Sequence, residues 1–90
     1  MVTLKNQNMT VAISERGAEM QSIKMNGNEL LWQGIPEIWA GRAPLVFPIC
    51  GGLIDDKFTF EGKEYTVEKH GYGRFKTFSV ESATETDATF

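Results

Sequence analysis

One cysteine, one histidine and three prolines are all that this chain of 90 residues carries of those types. Each scarcity removes a class of explanation. A lone thiol, Cys50, forms no intramolecular disulfide and has no second thiol with which to build a metal site; this fits a reducing compartment, so a cytoplasmic location is expected, with no metal and no cofactor. No run approaches the ~20 apolar residues that a membrane-spanning helix needs. The start, Met1-Val2-Thr3-Leu4-Lys5-Asn6, lacks the charged lead and apolar stretch of a signal peptide, so the sequon Asn8-Met9-Thr10 is discounted. Positive charge is scarce as well. Nine basic residues face twelve acidic ones, for a net charge of −3, and they are interspersed. With no basic stripe to neutralise phosphates, neither nucleic acid nor a membrane is an expected partner.

What is present is ordinary for a globular protein: 41% hydrophobic and 23% charged residues. Residues 1–90 are expected to belong to a single domain with one core, burying roughly 60–65% of the unfolded surface. Glycines and turn residues recur every eight to twelve positions, a rhythm of short strands that predicts an all-β fold. Met9–Ser14 reads as a strand, followed by a turn at Glu15-Arg16-Gly17. Ala18–Met25 shows an imperfect period of two that also admits a short helix. Asn26-Gly27 favours a tight turn because both residues tolerate positive φ, and Glu29–Trp32 reads as the returning strand. Pro36–Trp39 suits a single helical turn with Pro36 first. Residues 43–53 are apolar but broken by Pro44, Pro48 and Gly51-Gly52, which predicts a buried irregular segment.

Lys57–Val67 carries the clearest pattern. Phe58 and Phe60 are placed to face Tyr65 and Val67 across a three-residue turn, Glu61-Gly62-Lys63. Phe75–Glu81 is predicted to be a strand with Phe78 and Val80 inward, and Thr84–Asp87 a turn. Ala88-Thr89-Phe90 reads either as a short edge strand or as the first half of a longer one. The second reading makes residues 1–90 the N-terminal part of a longer protein with an exposed sheet edge, which favours self-association.

Chemistry concentrates in two stretches. Arg42 lies in Trp39-Ala40-Gly41-Arg42-Ala43-Pro44-Leu45-Val46-Phe47-Pro48. A guanidinium in such apolar company is costly to bury unless paired or used. It serves either as a pin, donating to backbone carbonyls freed by the prolines, or as a clamp for sugar hydroxyls or a phosphate. His70, in Lys69-His70-Gly71-Tyr72-Gly73-Arg74-Phe75, has the only side chain whose ordinary titration falls near neutrality. Its plain alternatives are a solvated loop histidine or one packed on Phe75; for Arg74 the alternative is a surface pair with Glu64 or Glu68. Gly71-x-Gly73 lacks the rest of a nucleotide fingerprint. Asp55-Asp56 suits a turn, and Trp32 and Trp39 suit packing.

Together, Ile13-Ser14-Glu15-x-Gly17-Ala18-Glu19, Leu31-Trp32-Gln33-Gly34, Trp39-x-x-Arg42-Ala43-Pro44-x-x-Phe47-Pro48-Ile49-x-Gly51 and His70-Gly71-Tyr72-Gly73-Arg74 resemble the aldose 1-epimerase (galactose mutarotase) superfamily, and most of all its LacX-like branch. The resemblance implies a large antiparallel β-sandwich whose concave face binds a monosaccharide, and an isomerase that interconverts the anomers of a hexose. It further implies that His70 contacts the sugar near the anomeric centre, that Arg42 binds sugar hydroxyls, and that Arg74 closes and supports the histidine loop. The hexose-6-phosphate mutarotases share a similar arginine–proline stretch and histidine loop, so a hexose phosphate is the alternative substrate. A non-catalytic carbohydrate-binding module and a purely structural β-domain are further alternatives. Family members are considerably longer, and their second histidine and catalytic glutamate fall in the later part. This chain holds a single histidine, so it is expected to carry half of the site and to be inactive alone.

Overall fold

Odd spacing in the sequence organises the first sheet. A computed structural model describes residues 1–90. Strands β1 (Val2–Lys5), β2 (Met9–Ser14), β3 (Glu19–Met25) and β4 (Asn28–Glu29) form one antiparallel sheet in chain order. Leu4 sits opposite Val11, Val11 opposite Ile23, and Met9 opposite Met25. Side chains alternate along a strand, so Val2, Leu4, Met9, Val11, Ile23 and Met25 share one face. Met20 lies three residues before Ile23, and a strict period of two would send it to the other face. The register shifts at this point: Ser22 opposes Ala12, Met20 opposes Ile13, and Gln21 has no opposite residue. This is a β-bulge. It returns Met20 to the apolar face and accounts for the imperfect alternation that left a helix open. β1 is a strand that the sequence reading did not assign.

The Asn26-Gly27 turn has φ of 50° and 83°, the left-handed pair of a type I′ hairpin. The returning strand is much shorter than Glu29–Trp32, because the Glu29 carboxylate takes over from the backbone ladder. Its Oε1 accepts the amides of Ile23 (2.8 Å) and Leu31 (3.0 Å), and its Oε2 accepts the Ser22 hydroxyl. Further on, the Ile35 carbonyl accepts the amides of Ile38 (3.0 Å) and Trp39 (2.8 Å), closing the expected turn after Pro36.

The second hairpin pairs β5 (Lys57–Phe60) with β6 (Lys63–Thr66). Phe60 opposes Lys63, so the loop has two residues rather than three; Glu61 and Gly62 take φ of 50° and 75°. Phe58 stacks on Tyr65 with ring centroids 5.1 Å apart. The expected strand Phe75–Glu81 does not form. Gly73–Phe75 makes a 3-10 turn, and the chain then runs extended along the first turn: Gly17 N–H donates to Lys76 (2.6 Å) and Phe78 N–H to Glu15 (2.8 Å). Only Ser82–Ala83 (β7) pairs, with Ala88–Thr89 (β8). Phe78 is half-buried, whereas Val80 is exposed.

These pieces lie side by side in a plate of 53 × 35 × 15 Å with a radius of gyration of 16.3 Å. A compact domain of this length has a radius of about 12 Å, and two packed sheets stand ~10 Å apart before their outer side chains are counted. The plate is one layer. Its accessible surface is 6716 Å², against about 5,300 Å² for a compact monomer of its mass, so it buries roughly 54% of the unfolded surface rather than the expected share. Only 4 of 90 residues are buried: Val67, Gly17, Gly71 and Gly73. The 43–53 segment is irregular as expected, with a cis Phe47–Pro48 bond, but Leu45, Val46 and Phe47 are exposed. Nothing in residues 1–90 covers them.

Two predictions follow from these contacts. Gly71 has φ of 68°, and a Cβ there would overlap the Phe47 carbonyl; Gly27 has φ of 83° with nothing near its Cβ position. Urea unfolding should show Gly27→Ala costing about 1 kcal/mol from backbone strain alone and Gly71→Ala costing more than ~2 kcal/mol; equal costs would contradict the close approach. The Ser22 hydroxyl, then the Ile23 amide, hold the Glu29 carboxyl below its usual range. A lowered native value means that the clamp is fully present above the ordinary carboxylate range and is lost as pH falls through that lowered value. The stability difference between the parent and Glu29→Gln should therefore shrink on acidification, as followed by unfolding at stepped pH.

Candidate functional site

Arg42 is fixed from both ends. Glu19 Oε1 accepts the backbone amides of Arg42 (3.2 Å) and Ala43 (2.9 Å), while Glu19 Oε2 accepts from the Gln21 side chain (3.2 Å). Arg42 Nη1 donates to the Gln21 carbonyl (2.5 Å) and to Gln33 Oε1 (3.1 Å). The Gln33 amide nitrogen donates in turn to the carbonyls of Gln21 and Leu31, both at 3.1 Å. The acceptor that receives the guanidinium thus belongs to the bulge residue of β3, not to carbonyls freed by the prolines. Arg42 is half-buried. Its two Nη1 protons are engaged, and its Nε–H and Nη2 protons have no acceptor within the chain. Trp32 Nε1 donates to the Trp39 carbonyl at 2.8 Å and closes the loop that leads to Arg42, a packing role.

His70 is set by the carbonyls of the Phe47–Gly51 stretch. The amides of Tyr72 and Gly73 both donate to the Phe47 carbonyl (2.9 and 3.0 Å), and His70 N–H donates to Gly51 (2.8 Å). The imidazole Nδ1 lies 2.7 Å from the Cys50 carbonyl. A carbonyl only accepts, so Nδ1 carries a proton, and Nε2 is an acceptor in the neutral ring or a donor in the charged one. The backbone of His70 takes φ of 66°, a conformation that a non-glycine residue holds only when its surroundings impose it. Arg74 is not paired with Glu64 or Glu68. Its Nη2 donates to the Lys69 carbonyl (3.1 Å), and its guanidinium carbon lies 4.5 Å from the Phe75 ring centroid. The Phe75 ring thus carries the Arg74 guanidinium.

Arg42 and His70 share no hydrogen bond, but one continuous segment connects them. Arg42 begins it, Phe47 docks the histidine loop through a parallel bridge to Gly71, and Cys50 orients the ring. A cleft of about 410 Å³ beside that loop is lined by Leu45, Phe47, Tyr72, Gly73, Lys76 and Phe78 together with Thr77. None of Arg42, His70 or Arg74 lines it. Glu19, Gln21 and Gln33 received no role in the sequence reading, although the odd Met20–Ile23 spacing marks the bulge beside them. In ¹⁵N NMR the neutral His70 ring should show a protonated Nδ1 and an unprotonated Nε2; the reverse tautomer would contradict the Cys50 contact.

The aldose 1-epimerase family model matches residues 1–90. The plasmid and chromosomal LacX proteins of Lactococcus lactis subsp. lactis are 39% and 38% identical to this chain, each over 99% of it and 32% of their own length. A galactose mutarotase related enzyme from Lactobacillus acidophilus superposes with a TM-score of 0.88 at 43% identity, over 93% of this chain and 29% of that one. A galactose mutarotase-like protein from Lactobacillus casei gives 0.88 at 32% identity, over 94% and 30%. The chain spans about a third of the length of the LacX proteins it matches. The antiparallel all-β arrangement expected from the sequence is the one these proteins share with it over that span. From the match along all 90 residues and the LacX relatives, the chain belongs to the aldose 1-epimerase family.

Proposed function

We propose that the protein containing residues 1–90 is an aldose 1-epimerase-like isomerase that interconverts the anomers of a hexose, and that this region, a portion of a single domain, supplies half of the sugar site. The observation that carries this reading is the tethered imidazole of His70, whose Nδ1 is spent on the Cys50 carbonyl. A ring fixed on one side presents Nε2 in one direction, as a group near an anomeric centre must. In the proposed reaction a base takes the proton of the anomeric hydroxyl, the bond between the anomeric carbon and the ring oxygen breaks, and the ring oxygen gains a proton. The aldehyde then rotates, and reclosure returns both protons. Here Nε2 meets the sugar near the ring oxygen, Arg42 holds hydroxyls through its remaining donors, and Arg74 supports the loop. The chain has one histidine, so the acid–base pair lies outside residues 1–90 and the chain alone is inactive.

A hexose 6-phosphate is the second reading, favoured by the Arg42 fork, which fits two phosphate oxygens as well as two hydroxyls. A cytoplasmic location accords with the lone thiol. Self-association through the uncovered sheet edge is proposed for the isolated chain.

The test is anomer interconversion of glucose, galactose and their 6-phosphates, followed by polarimetry against the spontaneous rate. Residues 1–90 alone should give no acceleration. The same region joined to the remaining length of its relatives should accelerate one substrate, and His70→Ala in that extended protein should slow it roughly 10²–10³-fold, as loss of one preorganised contact at a reacting oxygen does, with little change in unfolding midpoint. Equal loss of stability and rate would return His70 to a packing role. Sedimentation of residues 1–90 should show concentration-dependent association; a clean monomer would contradict it.

A further inference from the structure

We propose that Glu19 and Gln33 are positioning residues that determine which edge of the Arg42 guanidinium meets the sugar; this rests on the epimerase reading above and goes beyond its site residues. Three observations combine. The bulge at Gln21 leaves that residue without an opposite partner on β2, so its carbonyl is available to other donors. Arg42 Nη1 and the Gln33 amide both donate to it. Gln33 also accepts from Nη1, so the Gln33 amide has a single workable orientation: oxygen toward Arg42, nitrogen toward the Gln21 and Leu31 carbonyls. Glu19 completes the arrangement by holding the Arg42 and Ala43 amides on one carboxylate oxygen, which fixes the start of the side chain while Gln33 fixes its end.

A guanidinium offers two donor pairs that match a planar two-oxygen ligand. Engaging both Nη1 protons removes the pair that contains Nη1. What remains is the parallel Nε–H and Nη2–H pair, suited to two neighbouring oxygens, either vicinal hydroxyls or two oxygens of a phosphate. Gln33 therefore acts as a selector of orientation. Without it, rotation about the terminal bonds makes both edges available, and the ordering lost must be supplied when ligand binds.

The experiment uses the extended protein and Gln33→Leu, with Gln33→Met as a straight-chain second variant should leucine disturb the loop. Two readouts are combined. Guanidinium ¹⁵N NMR should show slow Arg42 Nη rotation in the parent and fast rotation in the variants. Anomerisation kinetics should show KM for the accepted sugar rising about 5–30-fold with kcat within about twofold, as expected when uniform binding is lost, and Gln33→Leu should add no further loss in an Arg42→Lys background. Rotation equally slow in parent and variant, or losses that add fully in the double variant, would overturn the proposal. A parent that does not accelerate anomerisation refutes the epimerase reading, and the rotation measurement then decides the anchoring by itself.

Discussion

The carbonyl of Gln21 is the contact on which the arrangement rests. An extra residue in β3 cannot find an opposite partner on β2, and a main-chain acceptor left without a donor is costly. Arg42 and Gln33 supply the donors from two stretches more than ten residues downstream. That contact brings the loop through residues 31–42 onto the sheet and starts the Arg42–Gly51 segment in a defined place. The Phe47 carbonyl then takes two amides of the histidine loop, and the Cys50 carbonyl takes Nδ1 of His70. Order thus passes from a sheet to the His70 ring through main-chain acceptors rather than through a packed core.

Close approach substitutes for burial at these junctions. Three of the four buried residues are glycines, and two of them, Gly17 and Gly71, stand where a Cβ would run into the backbone of Arg74 or Phe47. Apolar side chains do the reverse. Val2, Leu4, Met9, Val11, Ile13, Met20, Ile23 and Met25 share one sheet face, yet none of them is buried. At roughly 25 cal/mol per Å² of apolar surface, covering such a face would add stability. The chain matches about 30% of the length of the galactose mutarotase-like structures, and a single 15 Å layer accords with that share.

Much of the β architecture was legible from residue types. Asn26-Gly27 announced its turn, because few dipeptides accept two positive φ values, Glu61-Gly62-Lys63 marked the second turn one residue too long, and alternation located β2, β5 and β6. The misreadings share a cause. Glu29–Trp32 alternates like a strand, yet only Glu29 of it belongs to β4, because the Glu29 carboxylate takes the Leu31 amide; Phe75–Glu81 alternates likewise, but its Phe78 amide goes to the Glu15 carbonyl and those of Phe75 and Lys76 turn back to Tyr72 and Gly73. In each case a side chain or a distant carbonyl outcompeted local pairing, and no local pattern reports a competitor far along the chain. The same limit concealed Glu19 and Gln33. Their types are common on strands and loops, and only the odd step between Met20 and Ile23 hinted that a carbonyl nearby would be free.

By itself the sequence determined strand chemistry, turn positions, the family and the residues His70, Arg42 and Arg74 that merit attention, since composition, periodicity and motif order are properties of the chain alone. The tertiary structure decided which nitrogen of His70 is tethered, which edge of Arg42 is engaged, and that the apolar face lies uncovered. Those outcomes depend on hydrogen bonds and packing between segments distant along the chain, and the direction of a donor exists only once the acceptor is in place.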